Sequence, residues 1–139
     1  QLIWTDGKEH KYLEESGTMN LVLVIDDVIL TPSEDSDTIL RSVVKRSVVD
    51  LAKHWGLPVE ERRISVDEVI TAIREGRLSE VFGAGTAATI APIAKIGFRS
   101  EVFELPPVGT RVVSNRIKAY LDGIKSGNCD DELNWCMQV

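Results

Sequence analysis

The chain has 139 residues, 43% hydrophobic and 27% charged, enough for one domain with a real core. Sixteen Lys and Arg against twenty-two Asp and Glu leave a net charge of −6, which repels rather than attracts nucleic acid and anionic membranes. The longest apolar run, residues 21–25, is far short of the roughly 20 residues that span a bilayer, and the N-terminal QLIWTDGKEH carries no signal-peptide pattern, so a soluble protein is expected.

Gln1-Leu2-Ile3-Trp4 reads as a strand already under way, without a methionine start or a capped entry, which fits the back part of a longer protein and equally a natural mature terminus or a trimmed chain. After the polar turn Thr5-Asp6-Gly7-Lys8 comes an irregular segment ending in Glu15-Ser16-Gly17-Thr18-Met19-Asn20. The β-rich runs 21–25 and 28–30 are split by Asp26-Asp27, a hairpin signal weaker than Asn-Gly, and Pro32 closes the pair. Between residues 38 and 55, Ile39, Leu40, Val43, Val44, Val48, Leu51, Ala52 and Trp55 recur at spacings of three and four. This pattern predicts a helix with Ser36 or Asp37 as N-cap and Gly56 as its stop. Its many valines lower the intrinsic propensity, so burial of one face must carry it.

Residues 59–64 predict a short strand leading into the capping box Ser65-Val66-Asp67-Glu68 of a second helix that stops at Gly76. The runs 81–83 and 86–90 flank Gly85, and Gly83 with Gly85 marks a strand that bends or is closely approached. Residues 93–98 and 101–105 predict two more short strands. Pro106-Pro107 and Gly109 then precede a last helix with the stripe Val112, Val113, Arg116, Ile117, Tyr120, Leu121 and Ile124, followed by a polar tail containing Trp135. The order of strands, helix, strand, helix, strands and helix defines an α+β domain.

Three stretches hold candidate chemistry, each beside a plainer reading. Glu15 next to the Gly17-Thr18 turn would put a carboxylate and a hydroxyl into a pocket, although a solvated loop acid looks the same. Phe82-Gly83-Ala84-Gly85-Thr86-Ala87-Ala88 would let backbone amides and the Thr86 hydroxyl approach an anion, although close strand packing explains the glycines as well; no Walker or dinucleotide fingerprint is completed. The helix N-terminus, with Ser42, Val43 and Val44 in its first turns, offers free N–H groups, as every helix does. His54 reads as a helix-surface residue, Asp26 and Asp27 as turn formers, and His10 has no sequence partner. Cys129 and Cys136 fit neither a disulfide framework nor a metal site, so inert thiols in a reducing compartment are expected.

The blocks IWTDGKEHKYLEESGTMN, TP and TIL ahead of a helix, and VEERRISVDEVITAIREGRLSEVFGAGTAATIAPI follow one another in an order that resembles the C-terminal part of the branched-chain amino acid aminotransferases, which are fold type IV pyridoxal-phosphate enzymes. EESGTMN and EVFGAGTAA are the most specific of these blocks. The resemblance implies a mixed sheet or pseudo-barrel with flanking helices, forming the large cofactor-binding domain over residues 1–139. It implies that Glu15 bonds the pyridinium nitrogen of pyridoxal phosphate and keeps it protonated, with Thr18 nearby. It further implies that Val43 and Val44 give main-chain N–H groups to the phosphate, that Thr86 adds a hydroxyl and an N–H, and that Thr86, Ala87 and Ala88 border the substrate carboxylate. The family exchanges an amino group between leucine, isoleucine or valine and 2-oxoglutarate, as a homodimer; a homo-oligomer in the cytoplasm is expected, with the mitochondrion as the alternative.

The departures are as specific as the matches. None of the seven lysines stands in the context of the family's Schiff-base lysine, so the resemblance implies half a cofactor site and no turnover by this chain alone. The phosphate-binding arginine and the small N-terminal domain of the family are not matched either. Arg41-Ser42 replaces the usual Pro-Gly, Asp37 a glycine and Lys45 an arginine, while Ala88 and Ala91 stand where some members carry a CxxC pair. Two functions are therefore expected as alternatives: part of a branched-chain aminotransferase, or a catalytically dead paralogue acting as a binding or regulatory subunit.

Overall fold

The computed structural model describes residues 1–35 and 37–137. They run β1 (Ile3–Thr5), β2 (Leu13–Ser16), β3 (Met19–Ile25), β4 (Val28–Thr31), α1 (Val43–His54), β5 (Val59–Glu61), α2 (Val66–Arg74), β6 (Leu78–Gly85), β7 (Thr89–Pro92), β8 (Lys95–Phe98), β9 (Glu101–Glu104), a 3-10 turn (Val108–Thr110) and α3 (Val113–Ser126).

Strand β3 is apolar at every position from Leu21 to Ile25 because both its faces are covered. Leu21, Leu23 and Ile25 point to the side where Val69 and Ala72 of α2 pack. Val22 and Val24 point to the side where Val48, Leu51 and Ala52 of α1 and Ile117 and Leu121 of α3 pack. Along one edge β3 pairs antiparallel with β6 from Asn20 to Ile25. The other edge is shared: β2 takes Met19 and Asn20, and β4 takes Leu23, Val24 and Ile25. The Thr31 hydroxyl bridges the gap by donating to the Leu21 carbonyl at 2.7 Å. Since β4 pairs parallel with β5 while its other partner is antiparallel, the seven-stranded sheet is mixed; β8 and β9 form a separate two-stranded ribbon.

A bulge in β6 sets which side chains face which helix. Val24 pairs with Glu80 but Ile25 pairs with Leu78, so Ser79 is extra, and Leu78 returns to the α2 face while Glu80 lies on the α3 face.

Most predicted elements are present. The Asp26-Asp27 hairpin forms with both residues at positive φ (51° and 63°), and the Ser65 side chain caps α2 through Glu68 N–H. Four expectations are corrected. The irregular segment before Asn20 contains strand β2, which Gly17 (φ 61°) turns back onto β3. The first helix starts at Val43, not near residue 38: Ser42 is its N-cap, Asp37 is not, and Ser36 lies outside the described residues. Ile39 and Leu40 leave the helical stripe because side chains of β2 hold residues 38–40. Residues 86–88, read as part of a strand, are the turn between β6 and β7.

Candidate functional site

The hairpin of β2 and β3 sets Glu15 opposite Asn20, and Asn20 in turn pairs with Ala84 of β6. This register carries the turn at Gly17-Thr18 and the turn at Thr86-Ala87-Ala88 to the same end of the sheet. Thr18, Thr86, Ala87 and Ala88 are all exposed there. The glycines have the plainer explanation: a Cβ on Gly83 or Gly85 would come within 2.8 Å of the Met19 side chain, which lies across both.

Helix α1 begins at that same end. Glu15 is half-buried, and its Oε1 accepts the Leu40 N–H at 2.8 Å. The buried Asn20 donates from Nδ2 to the Leu40 carbonyl at 3.0 Å and, at 3.4 Å, to Glu15 Oε1. Thr38 donates its hydroxyl to Glu14 Oε1 at 2.6 Å. Two residues on, Ser42 is extended (φ −118°, ψ 129°) and its Oγ accepts the Lys45 N–H at 3.2 Å. That bond satisfies the third N–H of the helix and leaves those of Val43 and Val44 without an intrahelical acceptor, at the positive end of the helix dipole. Val43 is 83% exposed, so solvent or a ligand reaches these amides. The cleft beside the carboxylate, about 480 Å³, is lined by Glu15, Glu34, Asp37, Thr38, Leu40 and Arg41. Its acidic lining suits a cationic N–H donor, and the helix amides suit an anion.

The structure thus brings Glu15 against the entry of the helix that presents Val43 and Val44, and sets Thr18 and Thr86 on neighbouring turns. Among the described residues, no hydrogen bond joins the Thr86 turn to the helix entry. The other sequence candidates lie elsewhere. His54 pairs with Glu132 at 2.9 Å, Cys129 and Cys136 are free and exposed, and no cluster of metal-ligating side chains occurs among the described residues. Lys45 turns away from the helix N-terminus: its buried Nζ donates to the Pro32 carbonyl at 2.8 Å and lies 3.2 Å from Glu34 and 3.6 Å from Glu61.

Two contributors escaped the sequence reading. Asn20 is a buried polar residue at the start of an apolar run, and that mismatch is the signal that could have found it. Thr89 closes the turn after Ala88 at φ 56°, a backbone state that β-branched residues rarely adopt, and its hydroxyl accepts from Lys125 Nζ of α3 at 2.5 Å. No sequence signal marks that residue.

This combination of a mixed α+β sheet, a strand-borne carboxylate and an open helix N-terminus has relatives. The family described as amino-transferase class IV matches residues 3–96, and the chain belongs to that family. Branched-chain-amino-acid aminotransferase 2 of Bacillus subtilis is 40% identical over 139 residues, which is all of this chain and 38% of that protein. A solved branched-chain amino acid aminotransferase from Escherichia coli superposes with a TM-score of 0.73 at 28% identity, over 91% of this chain and 38% of that one. An aminotransferase from Brucella abortus, solved bound to the co-factor PLP, shares the fold with a TM-score of 0.63 at 24% identity, over 80% of this chain and 35% of that one. The chain therefore spans well under half the length of the relatives it matches.

Proposed function

We propose that this chain is the single cofactor-facing domain of a branched-chain aminotransferase and carries half of a pyridoxal-phosphate site. The observation that supports this most is the bond from Leu40 N–H to Glu15, which joins the carboxylate to the approach of the open helix N-terminus. The donor set suits the cofactor: a carboxylate for a ring N–H, and free amides for a phosphate. When bound, pyridoxal phosphate supplies an electron-withdrawing ring that stabilises negative charge developing on an amino acid's α-carbon. In this reading Glu15 holds the proton on the ring nitrogen, with Thr18 beside it. The Val43 and Val44 amides bind the phosphate, together with the hydroxyl and N–H of Thr86. The turn Thr86-Ala87-Ala88 borders the substrate carboxylate. The substrates are leucine, isoleucine or valine with 2-oxoglutarate as the other partner. A lysine to bond the cofactor must come from outside these residues, since none of the seven present stands in the matching context. By itself the chain is expected to bind and not to turn over.

Its partner is proposed to be a second copy, in a soluble homo-oligomer of the cytoplasm or the mitochondrion, with no nucleic acid and no membrane. Exposed Leu2 and Trp4 at the N-terminal strand support a covered surface, and no helix among the described residues is long and apolar enough to cross a membrane. A second reading, the catalytically dead paralogue, draws support from Lys45, whose charge is spent on Glu34 and Glu61 instead of facing the helix N-terminus.

Titration with pyridoxal phosphate, read by absorbance and by thermal stabilisation, on the chain and on Glu15→Ala, separates the two. Saturable binding weakened by the substitution supports the half-site. Absence of binding at millimolar cofactor leaves a scaffold that kept the fold without the chemistry.

A further inference from the structure

We infer that Asn20 is a positioning residue: it fixes the Leu40 backbone, and through it aims the first amides of α1 at the phosphate. The ligand half of this inference rests on the proposed cofactor site; the mechanical half rests on geometry alone.

The segment between β4 and α1 is anchored by the buried Ile39, but the next residue, Leu40, has little burial to hold it where it passes the site. Leu40 is 71% exposed, so its side chain contributes almost no apolar anchoring. Its backbone is nevertheless held at both polar groups: the N–H by Glu15 Oε1 at 2.8 Å and the carbonyl by Asn20 Nδ2 at 3.0 Å. Asn20 is 4% exposed and sits on β3, paired on one side with Glu15 and on the other with Ala84, so it cannot drift. A neighbouring strap, Thr38 to Glu14 at 2.6 Å, holds the same segment to β2. Leu40 is three residues before Val43, so rotation of its carbonyl would re-aim the chain entering the Ser42 cap. Glu15 alone cannot prevent that rotation, because it holds only the N–H. With Asn20 present, the carboxylate and the helix amides are fixed to one rigid pair of strands, and the ring and phosphate ends of one ligand are matched to each other in advance.

The test compares three probes on the full chain and on Asn20→Ala: pyridoxal phosphate, inorganic phosphate and phosphate-free pyridoxal. Exchange of the Leu40 amide is followed by NMR without ligand. A positioning role predicts that pyridoxal phosphate and inorganic phosphate bind about tenfold more weakly, as loss of one ordered hydrogen bond implies. Pyridoxal is weakened much less, by about two- to threefold, because Asn20 reaches the ring acid Glu15 only at 3.4 Å, and the Leu40 amide exchanges about tenfold faster while β3 and β6 amides keep their protection. Thr38→Val cuts the bond to Glu14 at an exposed residue and is expected to show the same split more weakly. Equal weakening of all three probes together with a lower melting temperature would overturn the inference in favour of a merely structural Asn20. Unchanged exchange of the Leu40 amide would overturn it as well. If the unsubstituted chain binds none of the probes, the cofactor reading and the ligand half fall, and the exchange data alone decide whether the clamp exists.

Discussion

Removing the Glu80 carboxylate should destabilise the protein more than any other single acid-to-neutral substitution in the sheet. Glu80 is 3% exposed on β6, and its partners are backbone N–H groups. It accepts the N–H groups of Val112, Val113 and Ser114 at 2.9, 2.8 and 2.7 Å, which makes it the N-terminal cap of α3 from a distant strand. Val112, the residue at the cap position, has no side-chain oxygen to replace it. An ordinary cap contributes about 1 kcal/mol, and each buried N–H left without a partner costs about 1–3 kcal/mol. Glu80 also offsets the charge of the nearby Arg111. Burial pushes the Arg111 guanidinium below its ordinary value and the charge of Glu80 opposes that shift, while the guanidinium's own hydrogen bonds go to the carbonyls of Val81, Ile93 and Pro106. Allowing for water entering the vacated space, Glu80→Ala should cost about 3–5 kcal/mol, a large share of the roughly 5–15 kcal/mol that a domain of this size commands. Glu80→Gln should cost less, about 1–3 kcal/mol, since its remaining oxygen can still accept the Val112 and Val113 N–H groups while its NH2 faces only the Ser114 N–H. Urea titration monitored by tryptophan fluorescence, with the slope checked for two-state behaviour, measures this directly. A loss below about 1 kcal/mol for both variants would refute the argument that the helix start depends on this carboxylate.

Other consequences are smaller and as easily checked. Asp27→Gly relieves a non-glycine residue at φ 63° in the β3–β4 turn and should raise stability by about 0.5–1 kcal/mol in the same urea assay. Ser114→Ala should be neutral or mildly stabilising in a thermal melt, because the Ser114 hydroxyl is buried with no hydrogen-bond partner among the described residues. Asp6 accepts the backbone N–H groups of Tyr12, Glu9, Lys11 and Lys8, which hold its carboxyl below the ordinary value of 3.8. The stabilisation it gives is complete above that value and is lost as pH falls below it. Asp6→Ala should therefore lower the urea midpoint at neutral pH and flatten its decline between about pH 4 and pH 2.

What the sequence shows of this fold is governed by range. The Asp26-Asp27 turn, the Ser65 cap and the stop of α2 at Gly76 are set by neighbours in the chain, and the sequence shows all three. The start of α1 failed because apolar spacing over residues 39–44 is as good for a helix as for a strapped segment. Glu14, Glu15 and Asn20, some twenty residues earlier, decide between them. Strand β2 was hidden for a related reason: its pattern of alternating burial is broken by two glutamates, one strapping Thr38 and the other Leu40. Glu80 carries no local signal of its role: the bulge at Ser79, set by pairing with β3, puts it on the face of α3. The resemblance singled out Glu15, Val43, Val44 and Thr86 as candidates. Only the pairing of β3 with β2 and β6 explains why residues so far apart in sequence gather at one end of the sheet.

If the proposed half-site is right, Arg41-Ser42, which stands where the resemblance leads one to expect Pro-Gly, gives the sharpest division between a working half-site and a dead one. Anion binding at a helix N-terminus uses main-chain amides, so the identity of residue 42 matters only if its side chain competes for them or blocks them. Ser42 competes for one: its Oγ takes the Lys45 N–H and leaves the amides of Val43 and Val44 open. A serine cap stabilises the helix over glycine by only a few tenths of a kcal/mol. Ser42→Gly should therefore lower the melting temperature slightly and, if the proposed site holds, leave the affinity for inorganic phosphate within about twofold, since the proposed phosphate amides are ones Ser42 does not use. Isothermal titration with phosphate on both proteins reads the difference. A gain of tenfold or more on removing the serine would show that the side chain obstructs the amides, and would move the chain from a piece of an enzyme towards a paralogue that lost its cofactor.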